Sequence, residues 1–419
     1  MNQYFILLIL ITVITLIFIY YKLDESTSKQ KKSEKTNIIT ISFLSIIAAC
    51  LIIGSALIYV YILIERKGGD YGDFSKIGPY GDLIGGILNP VVAFVGIMAA
   101  FLAFYVQYTA NKQVQEQFNL QKFESQFYEM IRMHRENLNE MKIEGYKFDS
   151  NFLGIKSKKD KITSGKKVFV TLDTELKAIY TILNKEFDIH YSSRKLNTLE
   201  VKSLLFKEAY SVFFAGVTSY EIQVKNSSKK DNLFDDVLLK KFVKELKEIR
   251  KGHENRGKKE IPNYKDSNTL WLSFNYRPFS GHQSLLAHYY RHLFQTVKFV
   301  VKQDENFISY EKKRDYLRML RSMLSNKEQL LLYYNWLAGH GDAWEIKRSN
   351  LNKKYSRNNK GNKFFTDYRM IHNIPSGEVI EDFDLEKIFN EEYRDFRYEE
   401  NRKEEDTLFE LIGIISNYK

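Results

Sequence analysis

The sequence predicts an all-α protein, in which three transmembrane helices lead through a helical stalk into a mostly α-helical cytoplasmic domain. Three observations carry that reading. Three long uncharged runs fall within the first 111 of the 419 residues, and no comparable run follows. No Gly or Pro occurs from Phe104 to about Glu144, where a helix would leave the last run. Beyond Lys167 the chain offers stretch after stretch without internal Pro, most with apolar residues at three and four spacing.

The runs are Asn2 to Tyr21, Thr36 to Ile64 and Leu83 to Asn111. A helix needs about 20 predominantly apolar residues to cross the hydrocarbon core, and each run supplies them. The expected spans are therefore about 3–21, 38–64 and 83–108, within an anchor of residues 1–108. The first reads as a retained span rather than a signal peptide. No Lys or Arg precedes its apolar stretch, and no small-x-small cleavage site follows Tyr21. Lys22, Lys29, Lys31, Lys32 and Lys35 make the first loop basic, whereas Arg66, Lys67 and Lys76 of the second are mixed with acids. The positive-inside rule then puts the amino terminus outside and the large carboxy-terminal domain in the cytoplasm. A lipid bilayer is the first expected partner.

Net charge is +11, from 63 Lys and Arg against 52 Asp and Glu. Residues 1–108 hold eight basic and seven acidic side chains, so almost all of the excess belongs to the remainder. Anionic lipid, solubility and nucleic acid each account for such a bias. With 44% apolar residues, global disorder is excluded. Cys50 is the single cysteine, which excludes a disulfide scaffold and a Cys-based zinc finger.

The third run opens with Gly85, Gly86, Asn89 and Pro90. Small residues and an Asn–Pro pair suit a kinked packing interface or an intramembrane hinge. The stalk is expected over 109–144. Its Leu120, Phe123, Phe127, Met130, His134, Asn137 and Met141 recur in a 3-4 alternation, a seam that either self-associates into a homo-oligomer or packs on the domain. Residues 145–419 form the basic, mostly helical domain. Gly145 to about Lys167 reads as a Lys-, Ser- and Gly-rich connection, and its GKK lacks the spacing of a phosphate loop. Helices are expected over 172–187, 201–224, 233–250, 284–302, 309–338 and 385–417.

Chemistry concentrates in FSGHQSLLAHYYRHLFQTVKFVVK, residues 279–302. His288 and His292, four apart, share a helix face beside Arg291. A metal bound by His288, His292 and a third ligand such as Asp342 is disfavoured, because no H-E-x-x-H pattern is present and Arg291 is adjacent. No metal and no cofactor is expected. One reading is a polar face of a partly buried helix; the other is a metal-free ribonuclease, His moving the 2′-hydroxyl proton and Arg holding the phosphate. Arg277 and His282 stand in the R-x4-H arrangement of HEPN ribonucleases, although Pro278 and Gly281 interrupt it. Tyr333, Tyr334 and Trp336 suit either base stacking or a core. No triad order, dinucleotide fingerprint or paired-acid motif is present. Catalysis is therefore unspecified, and any enzyme would be a metal-independent ribonuclease.

Six blocks resemble the phage abortive infection proteins of bacteria, the AbiC-like family. They are YGDLIGGILNPVVAF (80–94), FESQFYEMIRMHREN (123–137), SGKKVFVTLDTEL (164–176), HYYRHLFQTVKFV (288–300), LRSMLSNKEQLLLYYNWL (320–337) and FTDYRMIHNIP (365–375). The resemblance implies a membrane-anchored, mostly helical antiphage defence protein of the bacterial inner membrane that responds to a phage component or infection signal. It supplies no active-site set. Three classes of action follow: a non-enzymatic sensor-effector that compromises the membrane, a membrane-tethered nuclease working through His288, Arg291 and His292, and a scaffold that recruits another defence component.

Overall fold

The structure, a computed structural model, describes residues 74–389 apart from 151–155, 192–197, 227–233, 256–273, 346–360 and 386, together with isolated helical positions between 51 and 66. The chain divides into two compact units, Met1–Glu124 and Ser125–Lys419. Helix α1 (Phe74–Glu140) is 67 residues long and contains the third uncharged run. It is followed by strands β1 (Lys142–Ser150) and β2 (Lys156–Ser164) and by helices α2 (Lys166–His190), α3 (Leu199–Ala215), α4 (Val217–Asn226) and α5 (Asp236–Asn255). Helices α6 (Gln283–Val301), α7 (Tyr310–Ser322) and α8 (Asn326–Leu337) follow, before two short 3-10 turns at Ser376–Glu378 and Glu381–Phe383.

Mostly helical architecture is what the apolar spacing required. The three transmembrane helices are not supported: among the described residues no helix is long and apolar enough to cross a membrane. The first run lies outside the described residues, and so does most of the second. In the third, the side chains of Leu83, Ile84, Ile87, Leu88, Val91, Phe94 and Met98 are likewise outside them.

A second departure is the two-stranded antiparallel ribbon β1–β2, paired from Lys142↔Ser164 to Ser150↔Lys156, where a connection is expected. A helical period is absent there. Gly145 permits a close approach, since a Cβ on it would sit 2.2 Å from the Asn275 carbonyl oxygen. The Tyr146 N–H donates to that same carbonyl at 2.6 Å. The exposed Lys159 and Lys161 on β2 discourage further strand pairing.

The core of the second unit is built on α2 and α8. Ten of the twelve residues of α8, Glu328 to Leu337, are buried, as expected of a helix apolar on every side. α2 buries Phe169, Leu172, Leu176, Ile179 and Leu183 along one face. Each such side chain removed from water contributes about 2 kcal/mol. Two expected long helices are each broken in two. The 309–338 stretch stops before Ser325, which starts α8 with a capping box. Glu328 N–H donates to Ser325 Oγ at 3.3 Å, and Ser325 N–H donates back to Glu328 Oε2 at 2.7 Å.

The 201–224 stretch breaks at Gly216, with φ +88°. Here the 274–282 loop lies across the helix break. Val217 N–H donates to the Phe279 carbonyl, and His282 N–H to the Phe214 carbonyl, both at 3.0 Å. A Cβ on Gly216 would stand 2.5 Å from the Ser280 oxygen, and one on Gly281 2.6 Å from the Ala215 carbonyl carbon. Two glycines thus let two backbones touch. Gly216→Ala should destabilise the fold by about 3 kcal/mol through strain and overlap. Urea unfolding checks this, and an unchanged midpoint would show that the contact carries no weight.

Candidate functional site

The loop before α6 is tied down by a carboxylate in the middle of α2. Glu175 is fully buried. It accepts hydrogen bonds from the Tyr276 hydroxyl and, at 2.7 Å, from the Phe279 N–H. The His282 Nε2 lies 3.1 Å away. Burial opposes ionisation, but attraction to the His282 ring and these donors outweigh it, so the carboxyl stays below its ordinary range. His282, itself buried, is therefore engaged by Glu175, whereas Arg277 is exposed at the surface. The His of the R-x4-H pair thus serves loop placement.

Along α6, His288 and Arg291 are exposed and His292 is half-buried. The ring of His292 stacks on that of His134, centroids 5.7 Å apart at 20°. His134 also meets Tyr289 at 4.9 Å. Phe127, fully buried, meets Tyr316 of α7 edge-on at 5.3 Å. The seam of the expected stalk thus takes the second of its two alternatives at Phe127 and His134, packing on helices of its own chain. Phe123 is also buried, and Met130 is half-buried.

Among the described residues neither ring nitrogen of His134 has a hydrogen-bond partner. Burial, reinforced by the His292 charge, pushes its pKa down from 6.5 to about 4. His292 is lowered too, by burial and then by His288. Both rings are thereby kept neutral near pH 7. A neutral imidazole beside an exposed Arg can accept a proton from a hydroxyl, which is the chemistry the His288/Arg291/His292 set allows.

Among the described residues no group of three His, Cys, Asp or Glu side chains could hold a metal, so His288, His292 and Asp342 do not form such a site. Tyr333, Tyr334 and Trp336 are buried, not stacking platforms. Tyr333 donates to the Phe383 carbonyl at 2.8 Å and Trp336 Nε1 to that of Glu345 at 2.8 Å. In α1, Asn89, Pro90 and Gly86 are exposed and Gly85 is half-buried; a Cβ on Gly86 would meet nothing within 4 Å. The helix runs on through Asn89 and Pro90.

The buried acids were not singled out from the sequence. Asp173 accepts from Lys177 at 3.1 Å and from Lys327 at 2.6 Å, and Lys327 also reaches Glu378 at 2.9 Å. Burial lowers the Lys327 pKa, but Asp173 and Glu378 more than reverse it. Glu345, fully buried, accepts from the Thr366 hydroxyl and from the N–H groups of Phe365 and Thr366, yet burial pushes its pKa up to about 8. Acids inside an apolar 3-4 pattern, as in VFVTLDTELKAIY, are the signal that could have revealed Asp173 and Glu175.

The His134 geometry has a pH consequence. Between pH 6.5 and about 4 the unfolded chain binds a proton at His134 that the folded chain does not. Its contribution is complete above pH 6.5 and is lost as pH falls to about 4, a loss on the order of 3 kcal/mol. Urea midpoints at pH 7.5 and 5 should therefore fall further for the native chain than for His134→Phe. Equal falls would remove His134 as their source.

Residues 281–356 match the family model described as "Putative phage abortive infection protein". No curated protein and no solved structure matches the chain. The matched stretch opens at Gly281 and takes in α6, α7 and α8, so it holds both the His288/Arg291/His292 set and the most deeply buried helix. It also contains two of the six blocks by which the sequence resembles the AbiC-like phage abortive infection proteins, 288–300 and 320–337.

Proposed function

We propose that the chain acts in antiphage defence by abortive infection, as a membrane-anchored sensor-effector that stops the infected cell by compromising its membrane. The observation that carries the defence reading is the family match over 281–356. The membrane reading is supported by α1 itself. Ile97, Phe101, Phe104 and Tyr108 are 64–71% exposed, and Val92, Tyr105 and Val106 are exposed beside them. An apolar surface of this kind seeks lipid or another protein. The whole stretch Leu83 to Asn111 carries no charge, and two further uncharged runs precede it. In this reading the second unit perceives an unidentified phage component or infection signal in the cytoplasm, and α1, which has no Gly or Pro from Ile97 to Glu140, carries the change to the inner membrane.

In liquid culture, cells carrying the protein should survive phage at low multiplicity and collapse early at high multiplicity. An absence of protection across a broad phage panel would remove the proposal. Asn89→Ala or Pro90→Ala should abolish the collapse together with the accompanying loss of membrane potential, while His288→Ala retains both. Undisturbed potential during a successful defence would leave the abortive outcome standing and eliminate the membrane mechanism.

A second reading, a membrane-tethered ribonuclease, is favoured by one observation: His288 and Arg291 are both exposed on one turn of α6, beside the half-buried His292. It expects RNA fragmentation on infection and loss of defence in Arg291→Ala at normal protein level. Intact RNA profiles in defending cells would exclude it.

A further inference from the structure

Helices α4 and α5 enclose a groove of about 630 Å³ that lies apart from the His288/Arg291/His292 set. This is within the size range of small-molecule sites, roughly 300–1,000 Å³. Val224, Leu239 and Val243 contribute its apolar lining. Its rim carries Lys240, Lys244, Lys247 and Lys251 from α5 and Lys225 from α4.

The placement of the lysines follows from the sequence. Lys240, Lys244, Lys247 and Lys251 are separated by four, three and four residues, which puts them in one stripe along α5. At 1.5 Å per residue the stripe extends about 16 Å. Phe242, Leu246 and Ile249 turn the other way and are buried. The helix is thus held by its apolar face while a row of ammonium groups borders the groove.

Three carboxylates share the lining, and they neutralise the row only in part. Glu221 is committed to Lys247 and, at 3.2 Å, to Lys225. Asp236 and Glu248 reach Lys240 and Lys244 only at 3.9 Å, with all four side chains well exposed. Pairs of that kind contribute little and exchange readily for a better anion. Five cations against three anions, around an aliphatic floor, leave a positive site with one apolar surface.

We propose that this groove binds a nucleoside polyphosphate, its phosphates held by Lys240, Lys244 and Lys251 and its base laid on Leu239 and Val243. Lysine is a point-charge phosphate ligand, and several movable ammonium groups suit a polyphosphate chain better than a single planar anion. The aliphatic floor takes a flat apolar face without demanding a particular base, so discrimination among bases should be weak.

The test uses the purified full-length chain and ATP as the probe, followed by isothermal titration at 0.15 M salt. Saturable binding of one ATP per chain is expected, with adenosine at least about tenfold weaker because the phosphates supply the attraction. Lys240→Gln/Lys244→Gln should weaken ATP by about tenfold or more with an unchanged thermal midpoint, whereas Lys167→Gln, an exposed lysine at the start of α2, should leave binding unaltered. GTP should bind within about threefold of ATP, as a floor without polar groups aimed at the base predicts. No saturable heat, equal binding of adenosine, equal loss in Lys167→Gln, or preference for phosphatidylglycerol vesicles over ATP would each overturn the assignment.

Discussion

Glu175 is a carboxylate shut away from solvent, and the loop that leads into α6 is arranged around it. The Tyr276 hydroxyl, the Phe279 N–H and the His282 ring all converge on its two oxygens. Removing any one would leave a buried charge short of a partner, which costs far more than the pair contributes when intact. The loop in turn closes the break between α3 and α4, because the Gly216 and Gly281 backbones meet there. α6 therefore begins where it does as a consequence of an acid 108 positions upstream of its first residue. His288, Arg291 and His292 inherit their positions from that arrangement.

A second set of buried polar contacts secures the other side of α2. Asp173 collects Lys177 and Lys327, Lys327 passes on to Glu378, and Asp382 takes Tyr180 and Lys202. These contacts hold the short 3-10 turns near residues 376–383 against α2 and α3. Hydrophobic burial supplies most of the cohesion, and the polar pairs choose which segment lies on which helix. His134 differs from both sets. It is a buried base with no hydrogen-bond partner among the described residues, stacked on a second base, and burial keeps it neutral near pH 7.

The family match and the exposed apolar side chains of α1 fall in different parts of the chain. That separation keeps the family-like stretch apart from the apolar surface of α1. It also separates the two candidate chemistries, since the groove between α4 and α5 has a lysine rim while α6 presents His and Arg. A ligand in the groove would touch α5, which among the described residues packs against α2 and α4. Two routes lead from there towards α6: α2, the helix that carries Glu175, and α4, whose Val217 N–H donates to the Phe279 carbonyl in the loop before α6.

By itself the sequence determined the helical character of the chain, because periodicity at three and four residues is a local property that packing later uses. It placed α6 within a residue at each end, 284–302 against Gln283–Val301. It also contained the Ser325-x-x-Glu328 signature that ends one helix and begins the next, although the continuous apolar pattern across it reads as a single helix. Other features had no local signal. The Gly216 backbone lies against Ser280 across the helix break, and β1 pairs where it does partly because Asn275 receives the Tyr146 N–H. Glu175 is ionised inside the core only because His282 and Tyr276 arrive from about a hundred residues away. Those outcomes depend on long-range contacts, whose partners are specified by the assembled core and not by neighbouring residues.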